Sequence, residues 1–190
     1  MRNKMLRTLL CGLIILAAAV VPARAGFYIG LQGGLSNQNA SLKEPPSELK
    51  FDKDSSFLYG AQVGLRVLSF AVEGQFYRAD HNLLSDNPGL TPYDGRGMAY
   101  YYLGFNAKIG LPLPLLFPYL AVGYGIYSAD IKDIGSSTDK SFSFGAGAEL
   151  SLGKIGLFAE LRYIDFAIDI SSLSWDFGGL NFHCGLNYRF

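Results

Sequence analysis

From Gly26 onward, apolar and polar residues alternate with a period of two, the mark of strands that show each face to a different environment. Eight such runs follow one another. In the first, Phe27, Ile29, Leu31 and Leu35 oppose Tyr28, Gly30, Gln32, Gly34 and Ser36. In the second, Phe57 to Leu65 on odd positions oppose Gly60, Gln62, Gly64 and Arg66. The third sets Phe70, Val72 and Phe76 against Glu73, Gln75 and Tyr77, and the fourth sets Tyr101 to Leu111 against Tyr100, Tyr102, Asn106 and Lys108. The second half continues with Pro118 to Ile126, Phe142 to Leu150, Leu157 to Tyr163 and Leu180 to Phe190, opposed by residues that include Glu149, Glu160, Arg162, His183 and Arg189.

The links between runs alternate in length. Short ones fall at Leu68-Ser69, Pro112 to Leu116 and Leu152 to Ile155. Longer ones, rich in charge, Asn, Gly, Ser and Pro, cover roughly 37–55, 79–97, 128–140 and 166–174. Short turns at one end and long loops at the other predict an all-β, eight-stranded antiparallel up-and-down transmembrane β-barrel. Face chemistry supports lipid over water. The polar face carries Arg66, Glu73, Lys108, Glu149, Glu160, Arg162 and Arg189, whereas the apolar face has one clear exception, Arg78, near the long-loop end where a long cation reaches headgroups. A soluble lipocalin-type carrier, with the opposite polarity, is the weaker alternative. Three acids against four bases in a narrow interior predict an ion-pair and hydrogen-bond network in place of an apolar core, without an aqueous channel. The uncharged stretch Ile109 to Ser128 is not a helical span, because Pro112, Pro114, Pro118 and three glycines interrupt it.

Composition adds the compartment. Arg2, Lys4 and Arg7 precede an apolar run from Thr8 to Val21, followed by Pro22 and the small-x-small sequence Ala23-Arg24-Ala25. This predicts a removed signal peptide over 1–25 and a barrel domain over 26–190. The run is shorter than the ~20 residues a spanning helix needs. Cys11 does not fit a lipidation site, because Leu10 precedes it. Beyond residue 25, 12 basic residues face 16 acidic ones, a balance unsuited to nucleic acid. Cys184 is the one cysteine of that stretch, so no internal disulfide is expected there.

The chain resembles the small eight-stranded outer-membrane barrels of Gram-negative bacteria, the OmpA/OmpX-like family. The carriers are Gly26-Phe27-Tyr28-Ile29-Gly30, the segment Pro118 to Gly125, the run Leu157 to Tyr163 and the final aromatic. The resemblance implies that the last strand is a signal for the barrel-assembly machinery, matched here by His183, Gly185, Tyr188 and Phe190. It also implies an outer-membrane location and contact with lipid and lipopolysaccharide; the chain is expected to be a monomer.

No cofactor or metal site is expected, and the chain is read as non-enzymatic, with a structural or surface-interaction role carried by four exposed loops. The alternative is a lipid A-modifying enzyme with a rim site. Its candidate is His81 beside Asp80, with Ser85 and Asp86 nearby, although loops collect Ser and Asp for turn chemistry alone. His183 is read as a lumen hydrogen-bonding residue, Glu160 and Arg162 as an interior ion pair, Cys184 as a small lipid-facing residue and Trp175 as part of an interfacial girdle.

Overall fold

A computed structural model describes residues 26–44, 47–50, 54–83, 95–132, 134–170 and 173–190. The signal-peptide segment 1–25, Ser85 and Asp86 lie outside the described residues. The strands are β1 (Gly26–Glu44), β2 (Ser47–Lys50), β3 (Asp54–Val67), β4 (Phe70–Leu83), β5 (Arg96–Gly110), β6 (Leu116–Ile131), β7 (Gly135–Leu152), β8 (Ile155–Ile170) and β9 (Leu173–Arg189). Each pairs antiparallel with its neighbours, and β1 also pairs with β9, from Tyr28 with Arg189 to Lys43 with Ser174, which closes the barrel. The short β2 pairs only with the far end of β1, beyond the last β1–β3 pair at Gln38 and Asp54, so eight staves make the wall.

The short turns stand where the pattern places them. Gly153 turns the chain between β7 and β8 at φ 65°, a left-handed conformation that suits a two-residue hairpin. The strands run further into the long-link end than the alternation of runs suggests, so the links expected over 128–140 and 166–174 are largely strand: β6 reaches Ile131, β7 starts at Gly135, β8 reaches Ile170 and β9 starts at Leu173.

The reason is a change of polarity at constant parity. On β8, Leu157, Ala159, Leu161 and Tyr163 face outward and Glu160 and Arg162 face inward. Two residues on, the inward side carries Ile164, Phe166 and Ile168 and the outward side carries Asp165 and Ala167. β4 makes the same exchange after Phe76, with Tyr77, Ala79 and His81 inward and Arg78, Asp80 and Asn82 outward; β9 makes it with Trp175 and Phe177 inward and Asp176 outward. The apolar-out part of β8, Ile155 to Tyr163, rises about 20 Å at the tilt of such barrels, close to the ~25 Å apolar band a bilayer requires. Beyond that height the wall follows the rule for water, apolar inside and polar outside.

The lumen is therefore filled in two ways. Toward the short turns polar and charged groups predominate, around a small apolar cluster of Phe117, Tyr119 and Ala121. Toward the long links Leu58, Met98, Ile131, Ile164, Phe166, Trp175, Phe177 and the tyrosines 77, 100, 102 and 127 pack into one buried cluster. This corrects two expectations: the interior network does not stand in place of an apolar core but beneath one, and Trp175 is fully buried inside that core and not in an outward girdle. Space for the rings comes from glycine. Gly104 and Gly125 are cross-strand partners, and a Cβ on Gly125 would lie 2.6 Å from Cε2 of Tyr102 and 2.7 Å from the Gly104 Cα. Outward aromatics collect near the interfaces, with Phe27, Phe70, Tyr188 and Phe190 toward the short turns and Phe57, Tyr59, Tyr124 and Tyr163 toward the other end.

Candidate functional site

All seven charged residues singled out in the sequence face the lumen, and they fall into two clusters. At the short-turn mouth Glu149 receives Arg66 Nη1 at 2.9 Å and also Arg189 Nη2, while Arg189 donates to Ser151 Oγ at 3.0 Å. Asn187 Nδ2 donates to the second Glu149 oxygen at 2.6 Å, and the Arg66 guanidinium lies 4.2 Å from the Phe117 ring centre. One carboxylate thus serves two guanidinium groups that keep some contact with solvent.

Deeper in, Glu73, Lys108, Glu160 and Arg162 form a neutral set of two acids and two bases. Lys108 Nζ lies 2.7 Å from Glu73 Oε1 and 3.4 Å from Glu160 Oε2, and Tyr28 donates its hydroxyl to Glu73. Arg162 donates from Nε to Glu160 Oε1 at 2.7 Å, with Nη2 at 2.5 Å from the same oxygen; its Nη1 reaches Gln75 Oε1 at 2.5 Å and Asn106 Oδ1 at 2.9 Å. Tyr119 donates to Glu160 Oε2 at 3.0 Å. Arg162 is completely buried, and a charge so placed persists only with such a set of acceptors. Gln32, Gln62, Gln75 and Asn187 extend the network across the barrel, which pins β1, β3, β4 and β9 to one another. These uncharged amides were not singled out in the sequence, although each stands at polar-face parity.

His183 is buried beside this layer, with Nδ1 3.2 Å from Gln32 Oε1 and its ring edge-on to Tyr77. Phe190 closes the strand end, donating from its backbone to Phe27 O at 3.0 Å, with the two rings 5.7 Å apart. Gly185 faces inward, where a Cβ would fall 2.8 Å from Phe158 Cε1, and Tyr188 faces outward. Cys184 is exposed on the lipid side.

The rim candidate is corrected by the strand it belongs to. His81 lies within β4 and not in a loop, is buried at 3% exposure, and places Nε2 3.0 Å from Ser36 Oγ with its ring stacked on Tyr100. Asp80 is its chain neighbour on the same strand, so the two side chains project to opposite faces. Outside the wall, Asp80 pairs instead with Arg78, Nη2 to Oδ1 at 2.6 Å, and the guanidinium also lies over Tyr101. A Ser–His distance of 3.0 Å is what nucleophilic chemistry uses, but Ser36 is fully buried and its hydroxyl is shared: it donates to Asn181 Oδ1 at 2.9 Å, lies 3.3 Å from Tyr100 OH and accepts from Gln38 Nε2 at 3.3 Å. The arrangement ties β1, β4, β5 and β9 together under the aromatic core.

Comparison with known proteins accords with this architecture. A family model described as outer membrane protein beta-barrel domain matches residues 8–190. Among solved structures, Neisserial surface protein A is similar at 15% identity and a TM-score of 0.57, covering 86% of this chain and 97% of that one. The attachment invasion locus protein Ail of Yersinia pestis, in complex with the heparin analogue sucrose octasulfate, has 17% identity, 87% and 99% coverage and a TM-score of 0.45. The N-terminal β-barrel domain of Pseudomonas aeruginosa OprF has 15% identity, 89% and 100% coverage and a TM-score of 0.44. No curated protein matches the chain.

Proposed function

Because this chain belongs to the outer membrane protein beta-barrel domain family, and so to the outer membrane, we propose that it is a non-enzymatic barrel whose work is done by the part standing above the lipid. The observation that carries this reading is the polarity exchange shared by β4, β8 and β9. Only the lower part of the wall is dressed for lipid; the upper part has an apolar interior and a polar exterior, so it stands in water as a rigid support for the long links. A support of this kind suits contact with lipopolysaccharide sugars and surface proteins of other molecules. The signal peptide over 1–25 carries the chain out, the barrel-assembly machinery reads His183, Gly185, Tyr188 and Phe190, and the finished barrel is a monomer.

Mass spectrometry of lipid A from cells with and without the gene tests the non-enzymatic reading, together with fractionation and a mildly denaturing gel. We expect an identical lipid A profile and a heat-dependent shift in mobility in the outer-membrane fraction. A lipid A species that depends on the gene overturns the reading.

A further inference from the structure

The wall behaves differently at its two ends. Where β4, β8 and β9 leave lipid toward the long links, their outward side turns polar, at Arg78, Asp165 and Asp176. At the short-turn end, the link between β5 and β6 makes no such exchange. From Ile109 to Pro118 the chain reads Ile-Gly-Leu-Pro-Leu-Pro-Leu-Leu-Phe-Pro, ten residues without one polar side chain. The other two short turns each carry one, Ser69 and Lys154, and the Lys154 ammonium lies 5.8 Å from the centre of the Tyr188 ring. Leu111, Leu113, Leu115 and Leu116 are between 40% and 61% exposed.

This turn is a fixed part of the wall. Gly110 N donates to Ser69 O at 2.8 Å on one side and Ser151 N donates to Leu115 O at 2.7 Å on the other, which joins it to the β3–β4 turn and to β7. Phe70, one of the interfacial aromatics, pairs with Ile109, so the turn sits at the lower edge of the apolar band. Its backbone is poor in free donors. Pro112 and Pro114 have no N–H; Leu111 N bonds to Pro118 O at 3.0 Å, and Leu113 N bonds to Leu111 O and Leu116 O at 3.0 Å each. An unbonded amide is tolerated in water and costly in hydrocarbon, so a turn that has shed or satisfied its donors is suited to lipid.

We propose that the turn over residues 111–115 is a membrane-embedded foot, an interaction surface for phospholipid acyl chains of the inner leaflet, and that it does not stand in the periplasm. Short turns of such barrels lie on the periplasmic side, so the inner leaflet is the lipid within reach. The leucines continue the lipid-facing side of the wall, with Leu111 following Ile109 on β5 and Leu116 paired with Leu150 of β7. The lack of charge and the closed donors match hydrocarbon. A periplasmic protein could cover the same leucines, but they would stand in water until it arrived, and the loss of amide donors at two prolines would bring it nothing. The foot lies at the opposite end of the barrel from the surface-interaction reading above and does not rest on it.

The test uses the full chain, methyl-labelled on leucine and alanine, in nanodiscs of phosphatidylcholine. One sample contains a phospholipid with a nitroxide on its acyl chain close to the glycerol; another contains a charged gadolinium chelate in the buffer. Leu157, outward on β8 within the apolar band, reports lipid, and Ala167, outward above it, reports water. The signals of Leu113 and Leu115 are assigned by their loss in Leu113→Val and Leu115→Val. We expect the nitroxide to broaden both as strongly as it broadens Leu157, and the chelate, which hydrocarbon excludes, to broaden them about fivefold less than Ala167. Broadening by the chelate equal to that of Ala167, or a nitroxide effect no greater than at Ala167, places the turn in water, leaves it to a protein partner and overturns the proposal.

Discussion

Replacing Glu160 with Gln asks how much of the barrel's stability resides in the mid-lumen ion set. The carboxylate meets Arg162 through Nε at 2.7 Å and Nη2 at 2.5 Å, Lys108 at 3.4 Å and Tyr119 at 3.0 Å, at 3% exposure. Removing one partner of a buried pair costs about 3–5 kcal/mol, since a charge stays behind in low dielectric. Here the loss is cushioned. Lys108 keeps Glu73 at 2.7 Å, Arg162 keeps Gln75 and Asn106, and the Gln carbonyl still accepts one bond. The expected loss is therefore at the lower end, about 3 kcal/mol. Urea unfolding in lipid vesicles measures it, followed through the emission of the chain's one tryptophan, Trp175, which is buried in the native barrel. Combining the change with Arg162→Met removes the stranded charge, so the double variant should be less damaged than the sum of the two single ones, with a coupling of about 1–3 kcal/mol. An unfolding free energy for Glu160→Gln within about 0.5 kcal/mol of the parent refutes the reasoning.

Two further outcomes follow from the described geometry. His81→Ala removes the bond to Ser36 and the ring over Tyr100, so it should lower unfolding free energy by about 1–2 kcal/mol while leaving lipid A unchanged; a surface loop histidine would show no stability loss. Deleting Phe190 removes its bond and ring contact with Phe27, and should slow the appearance of the heat-modifiable band far more than Cys184→Ser, whose side chain faces lipid; equal rates for the two variants count against the role given to the last aromatic.

The side to which each residue points was legible throughout, because strand parity is a strict period of two and one slip would reverse every face. The order of staves and the short turns at Leu68-Ser69 and Gly153 followed from it. What parity does not carry is height. Reading Asp80 as a loop residue, and ending the seventh run at Tyr163, treated polar-out positions as the end of the strand, whereas they mark the point where the same strand leaves lipid for water. His81 and Trp175 were misplaced for the same reason: both keep inward parity above that point, where the interior has changed from amides and ion pairs to rings. The contacts of Ser56 with Asp80 O and of Ser141 with Asp165 O were hidden differently: nothing local distinguishes either from an ordinary strand serine, since its role depends on a carbonyl of the neighbouring strand.

The pairing of β1 with β9 sets the order of events during folding. Tyr28 meets Arg189 across about 160 residues of intervening chain, and bringing such distant segments together is slow and entropically costly. Until β9 is in place, β1 offers an open edge along its whole length. An unfinished sheet of this kind, with outward Phe27, Ile29 and Leu31, would aggregate in water, so the strands must be held apart or already in lipid when the ring closes. The last strand to be made is the one without which the first has no stable neighbour on that side.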